Sequence, residues 1–274
     1  MGLRIATNTA SIAAQRVLGA QQKRAEHSAQ AIASGSRIVN AADDAAGLAI
    51  SENFKGQLRG ISQARNNANN AISFSQVGEG GLSEISNILV RLRELGVQAS
   101  SDTVGDTERG FLNNEANQLI QEADRIAKTT VFGNTKLLDG SGGKLEFHVG
   151  PNGGKENIVS FDFDSNATSS SLGISSLKVN SKSNARNSLE SVDKAMQKVG
   201  TLRANFGAMQ SRMESTVNNL DISFENLSAA NSRIRDTDIA KETADFASAG
   251  ILQNAAVSVL AQANQLPAIA MKLV

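Results

Sequence analysis

The chain has 274 residues, 27 Lys and Arg against 27 Asp and Glu, 4% aromatic residues with neither Trp nor Tyr, and no Cys. The balanced charge excludes a protein-wide field for nucleic acid or an acidic membrane, and the missing thiols exclude disulfide frameworks, cysteine nucleophiles and Cys-ligated metals. The 40% apolar content falls mainly on Ala, Leu, Ile and Val, which is thin for a large globular core and ordinary for long packed helices.

Apolar residues open the chain at alternating steps of three and four, Leu3, Ala6, Ala10, Ala13, Val17 and Ala20, and predict a helix with a narrow packing seam. The first residues hold no continuous apolar core and no cleavage site, so a standard cleaved secretory signal is not expected. Helical but polar sequence continues to Ser34 and stops at Gly35-Ser36; in the turn that follows, Asn40 or Asp43 is placed to cap the next helix. That helix is long, from Ala45 to near Ser100. Its first half carries Phe54, Leu58, Ile61, Ala68 and Ile72, and its second half Gly78, Leu82, Ile85, Leu89, Leu92, Gly96 and Ala99. The two stripes are one residue out of phase around Ser75, which predicts a stammer that rotates the packing face.

A turn at 100–105 leads into a shorter amphipathic helix, with Leu112, Ala116, Leu119, Ala123 and Ile126 inward. Residues 129–143 read as irregular. The period then changes to two, with Leu145, Phe147 and Val149 facing Val159, Phe161 and Phe163 across a Gly-rich loop, which predicts a β-hairpin. Residues 165–183 read as a Ser- and Asn-rich loop with a short strand near Leu177 to Val179. A second long helix, 184–235, buries Val192, Met196, Val199, Leu202, Phe206, Met209, Met213, Val217, Leu220, Phe224, Leu227 and Ile234.

Asp236-Thr237-Asp238 breaks the chain before a last helix with the seam Ala249, Leu252, Ala256, Val259, Ala263, Leu266, Ala270 and Leu273, in which Pro267 removes an amide donor and bends or ends the helix. Two matched seams at opposite ends predict that the termini pair. Much of their burial is by alanine, which does not offset the entropy of ordering such long segments, so the ends are expected to fold on assembly. The fold class is therefore mainly α, an elongated antiparallel bundle of long helices with coiled-coil packing and a small β-hairpin region at about 144–180. Residues 1–42 and 236–274 form one domain of paired terminal helices, and 43–235 form the other. No apolar run is long enough to span a membrane, because Gln253, Asn254, Gln262, Asn264 and Gln265 interrupt the last seam.

Nothing in the sequence assembles catalytic chemistry, and no cofactor or metal is expected. His27 and His148 have no partner for a triad or a metal nearby in sequence, and the pair Asp43-Asp44 fits helix capping better than acid–base work. Gly78-Glu79-Gly80-Gly81 lacks the ending of a phosphate loop; close helix approach or a bend explains it better. Three function classes remain to be weighed: a self-assembling structural subunit, an intracellular coiled-coil scaffold, and an enzyme on a helical bundle. The paired seams favour the first.

Four blocks also carry a family resemblance: Asn40-Ala41-Ala42-Asp43-Asp44-Ala45-Ala46-Gly47-Leu48-Ala49-Ile50, Leu92-Arg93-Glu94-Leu95-Gly96-Val97-Gln98-Ala99, Glu225-Asn226-Leu227-Ser228-Ala229-Ala230, and Ser258-Val259-Leu260-Ala261-Gln262-Ala263-Asn264-Gln265. In this order they resemble bacterial flagellins, in a compact form without the large outer domains that other flagellins insert near 140–183. The resemblance implies a helical homopolymer of this chain, the extracellular flagellar filament used for swimming, with the terminal helices as its inner coiled-coil layer. It also implies type III export without a cleaved signal, contacts with the export apparatus, an export chaperone, the filament cap and sister flagellins, and neither nucleic acid nor membrane insertion. Hook–filament junction proteins of the same superfamily share the terminal pattern and are the alternative. The resemblance further places Arg91, Leu95 and Glu115 where flagellins sensed by a vertebrate Toll-like receptor carry contact residues.

Overall fold

The computed structural model describes residues 7–163 and 165–271. In chain order it contains α1 (Thr9–Ser34), α2 (Ala45–Ala99), α3 (Asp106–Thr129), β1 (Val131–Phe132), β2 (Thr135–Lys136), β3 (Gly143–His148), β4 (Ile158–Phe163), α4 (Ser169–Leu172), α5 (Lys182–Arg235) and α6 (Ile239–Met271). Contacts divide the chain into two units, Met1–Gly56 with Asn226–Val274, and Gln57–Glu225. The boundaries fall inside α2 and α5 rather than at 42/43 and 235/236, where the sequence pattern drew them.

In the unit 57–225, the inner face of α2 is Ile61, Ala64, Ala68, Ala71, Ser75, Gly78, Leu82, Ile85, Leu89, Leu92, Gly96 and Ala99, all buried. The steps of three and four run without a break, so the stammer expected near Ser75 is absent. The false shift came from following the large side chain of Ile72, which is only half-buried, when Ala64, Ala71 and Ser75 carry the seam. Small residues are needed there because α5 approaches closely. Ser75 Oγ donates to the backbone carbonyl of Phe206 at 2.9 Å, in a fully buried setting. A Cβ on Gly78 would stand 2.7 Å from the Phe206 ring, and one on Gly81 would stand 2.7 Å from Thr130 Oγ1. Two of the three glycines of that run, Gly78 and Gly81, therefore serve close packing.

The facing seam on α5 is Ala185, Ser188, Val192, Ala195, Val199, Phe206, Met209, Met213 and Leu220, again in heptad phase. Of the expected stripe, Met196 is half-buried behind Ala195, and Phe224 is exposed. Ion pairs flank the seam, Arg65 to Asp221 at 2.9 Å, Arg203 to Glu79 at 3.3 Å and Arg93 to Asp193 at 2.9 Å. Their descending order on α5 as α2 ascends shows the two helices to be antiparallel.

α3 closes the core with Ala116, Ile120, Ala123 and Ala127. Buried Arg109 holds its turn, donating from Nε to the Ala99 carbonyl and from Nη2 to the Ser101 carbonyl, both at 2.9 Å, and so satisfying groups left open at the end of α2. β3 and β4 pair in the expected antiparallel register, Leu145 opposite Phe161 and Phe147 opposite Val159. Their rings join the core, Phe147 edge-on to Phe74 at 5.9 Å and Phe161 beside Phe206 at 6.3 Å.

Two local expectations fail in this unit. The stretch read as irregular contains β1 and β2, joined at Gly133, whose φ of 60° favours glycine. Leu177 and Val179 are buried but form no strand; the Val179 amide bonds the Asn113 side chain at 3.0 Å in place of a ladder partner.

Gly78→Ala is expected to destabilise this unit by about 1–3 kcal/mol through overpacking against Phe206, despite alanine's better helix propensity. Gly80→Ala, with nothing near its added Cβ, is expected to stabilise it by about 0.5–1 kcal/mol. Thermal melts of the two variants, read by circular dichroism, check the opposite signs.

Candidate assembly surfaces

In the unit formed by Met1–Gly56 and Asn226–Val274, α1 and α6 pair antiparallel. At one end Asn8 Nδ2 donates to the Ala263 carbonyl at 2.8 Å, and Ser11 Oγ to Asn264 Oδ1 at 2.9 Å. At the other, Arg37 N donates to the Arg235 carbonyl at 2.7 Å, and Thr237 N to the Gly35 carbonyl at 3.0 Å. Gly35 ends α1 in the left-handed conformation, with φ 67°. Asp44 Oδ1 caps α2 through the Gly47 amide at 2.8 Å, one position after the cap expected at Asp43.

Asp43 instead accepts from the Val39 and Asn40 amides at 3.0 and 2.8 Å and faces His27 Nε2 at 3.2 Å, which anchors the 36–44 link to α1. The Asn40 amide bond, foremost, holds its carboxyl below the ordinary carboxylate range; burial opposes it, and the bonds from His27 and the Val39 amide add to the lowering. Asp238 caps α6 through the Ala240 amide at 2.9 Å.

The termini pair as expected, but not through the whole expected seam. On α1 the buried residues are Ser11, Ala14, Ser28 and Ala31, while Ala10, Ala13, Val17 and Ala20 are exposed. The packing face is rotated by one residue because small hydroxyls fill close-packed positions as well as alanine does. On α6, Ala249, Ala256 and Ala263 face α1 as expected; Leu252 and Val259 stay 45% and 55% exposed, and Gln253 and Leu260 take the half-buried positions. Leu3, Ala6, Leu273 and the side chains of Leu266 and Ala270 lie outside the described residues. α6 runs past Pro267 to Met271, so of the two outcomes expected there, a bend or an end, the end is not found.

What distinguishes α6 is the absence of a charged face over most of its length. From Phe246 to Met271 it holds no Asp, Glu, Lys or Arg. With one side on α1, it still exposes Phe246, Ile251, Leu252, Val257 and Val259, and α1 adds Ile12 and Val17. So much exposed apolar surface belongs in an interior that these two helices cannot supply. By length and composition alone, Ile239–Gln265 is apolar enough to cross a membrane, contrary to the weight placed on its Gln and Asn residues.

A second surface lies on α2 and α3. Arg91 Nη2 and Nε reach Glu115 Oε1 at 2.7 and 2.9 Å, and Nη1 reaches Glu94 at 2.9 Å. These contacts hold the guanidinium above its usual range, Glu115 foremost. Leu95, grouped with Arg91 and Glu115 from the sequence, is 0% exposed and belongs to the core. In the folded single chain its side chain has no outward surface. Val90, Val97 and Phe111 supply the exposed apolar groups nearby.

Comparison with known proteins supplies the family. A model of the bacterial flagellin N-terminal helical region matches residues 5–142, and one of the C-terminal helical region matches 189–273. The chain belongs to the bacterial flagellin family. It is 39% identical over 269 residues to the flagellin of Halalkalibacterium halodurans, covering 97% of each chain. It is 37% identical over 272 residues to the flagellar filament 30.7 kDa core protein of Treponema maltophilum, covering 94% of each. Among solved structures, the Bacillus cereus flagellin crystal structure superposes with a TM-score of 0.51 at 28% identity, over 57% of this chain and 88% of that one. Flagellin membership accounts for the long helices, the hairpin and the paired ends together.

Two measurements check these surfaces. Leu95→Ala is expected to cost about 2–5 kcal/mol in thermal stability, whereas Arg91→Ala costs at most about 1, its ion pairs being exposed. Because the Asp43 carboxyl is depressed on folding, its contribution is complete at neutral pH and lost as pH falls through the depressed value. Asp43→Asn is therefore expected to melt below the parent chain at pH 7, with the gap closing below about pH 4.

Proposed function

We propose that the chain is a structural subunit of the bacterial flagellar filament, polymerising with copies of itself outside the cell. The observation that carries this reading is α6, whose exposed Phe246, Ile251, Leu252, Val257 and Val259 surround it on the sides α1 leaves open. Lateral neighbours of the same kind would cover all of them, and a heterologous contact that does not close builds a helical polymer. The relatives named as flagellin and filament core protein support the filament over the hook–filament junction, and over an intracellular scaffold.

Within this reading, the paired ends form the inner coiled-coil layer of the filament. The seam residues Ala10, Ala13, Val17, Ala20, Leu252 and Val259, exposed in the single chain, become contacts between copies. Family membership likewise supports export through the flagellar apparatus without a cleaved signal, with an export chaperone and filament cap as partners, and a structural rather than enzymatic role. Recognition by a host Toll-like receptor through the region of Arg91, Leu95 and Glu115 belongs to the same reading, with the Arg91–Glu115 ion pair as its exposed part.

Val259→Asp separates assembly from folding. Its side chain is 55% exposed in the single chain, so the soluble variant is expected to keep its melting temperature. In a polymer interior the unpaired carboxylate costs several kcal/mol, so seeded polymerisation followed by electron microscopy is expected to yield no filaments. Normal filaments from this variant would sink the reading of α6 as the buried element.

A further inference from the structure

One loop of the unit 57–225 carries chemistry that neither its packing nor the proposed role uses. The dipeptide Asn-Gly occurs once in the chain, at Asn152-Gly153, between β3 and β4. Both ends of the loop are fastened. Val149 N donates to the Asn157 carbonyl at 2.8 Å and Asn157 N to the Gly154 carbonyl at 3.0 Å, and a Cβ on Gly60 of α2 would stand 3.2 Å from Pro151 Cα. The middle is open: Asn152 and Gly153 are exposed, and among the described residues no hydrogen bond reaches the Asn152 side chain or the Gly153 amide. Gly150 and Gly154 have a packing reason, since an added Cβ would collide with the Asn157 and Glu156 side chains. Gly153 has none; nothing lies within 4 Å of the place for a Cβ, and its φ is not left-handed. The related dipeptide Asp139-Gly140 is held instead. Asp139 Oδ1 accepts from Ser141 N at 3.0 Å and from Ser141 Oγ, its Oδ2 meets Lys136 Nζ at 3.3 Å, and a Cβ on Gly140 would stand 2.6 Å from Asn166 Nδ2.

We propose that Asn152 is a site of spontaneous deamidation, a covalent change for which the chain needs only water. The Gly153 amide nitrogen gives its proton to solvent and attacks Asn152 Cγ. The new C–N bond closes a cyclic imide while the Cγ–Nδ2 bond breaks and ammonia leaves. Water then opens the ring on either side: cleavage at Cγ leaves an aspartate, and cleavage at the backbone carbonyl leaves an isoaspartate, with the chain rerouted through Cβ and Cγ. One water enters, one ammonia departs, and nothing is oxidised or reduced. The attack requires the side chain to swing onto the following amide. Glycine is the residue whose backbone yields to that most readily, and an exposed loop tip is where the chain is freest to move. At Asp139 the same swing would first break the bonds to Ser141. Each conversion places one negative charge on a chain whose 27 cations and 27 anions otherwise balance. Because no enzyme takes part, the converted fraction records the time since the chain was made. The inference goes beyond the filament reading and does not depend on polymerisation.

The test incubates the full-length folded chain at neutral pH and follows it by isoelectric focusing and peptide mass mapping. A more acidic form is expected to accumulate, with Asn152 converting ahead of every other asparagine and with both aspartate and isoaspartate in the product. Aspartate alone would mean direct hydrolysis and would overturn the imide route. Gly153→Ala, whose added Cβ meets nothing, is expected to keep the melting temperature and to slow conversion about tenfold or more, a barrier higher by about 1.4 kcal/mol. Unchanged conversion in this variant would overturn the proposal. The same chain unfolded in urea separates the loop from its dipeptide. Asn152 is expected to convert at nearly the same rate folded and unfolded, whereas Asp139 is expected to isomerise only once unfolded. A folded chain that keeps Asn152 intact while the unfolded chain loses it would show that the fold protects the site, and would overturn the assignment. Equal isomerisation of Asp139 in both states would do the same, because the bonds that separate the two dipeptides would then have no effect.

Discussion

The seating of Phe206 against Gly78 and Ser75 is the contact on which the unit 57–225 depends. A ring pressed onto a glycine, with its own backbone carbonyl tied to a serine hydroxyl, admits one register between α2 and α5; sliding either helix by a turn would drive the ring into a side chain. Once that register is set, three ion pairs along the flanks fall into place. The hairpin is brought in by the same ring, through Phe161. Exposed ion pairs contribute little stability each. Here they follow the packing rather than cause it.

The terminal unit obeys the opposite logic. Its internal contacts are serine and alanine, well suited to close approach and poor in buried area, and its larger apolar side chains point away from the partner helix. A pair built this way is inexpensive to separate and incomplete alone. The two units thus divide labour along one chain: one stores its large residues inside and stands as a fold, and the other displays them and requires company.

Much of this was legible in the sequence. Heptad spacing located the long helices, period-two spacing located β3 and β4 in the right register, and Gly35 and Asp238 marked helix ends. The misreadings share one cause. Apolar periodicity was weighed by size, so Ile72 was preferred to Ala71, Met196 to Ala195, and the alanines of α1 to the serines at 11 and 28. At Ala71 and Ala195 a close crossing selects the smaller neighbour, and on α1 serine fills positions that apolar spacing does not mark. The burial of Leu95 has a different source: a position carried over from a family motif says which residue stands there, and not which way it points.

The unbroken phase of the α2 and α5 seams limits how such a chain can change in length. Removing or inserting a few residues within 61–99 would turn every later seam position off the core, so a viable change comes in steps of seven residues. It must also be matched by the same step in the antiparallel stretch of α5, or Gly78 and Phe206 part. The bend at Gly133 and the exposed loop at 151–154 carry no such phase and can accept single residues. Length in the unit 57–225 is therefore quantised in the helices and continuous in the turns.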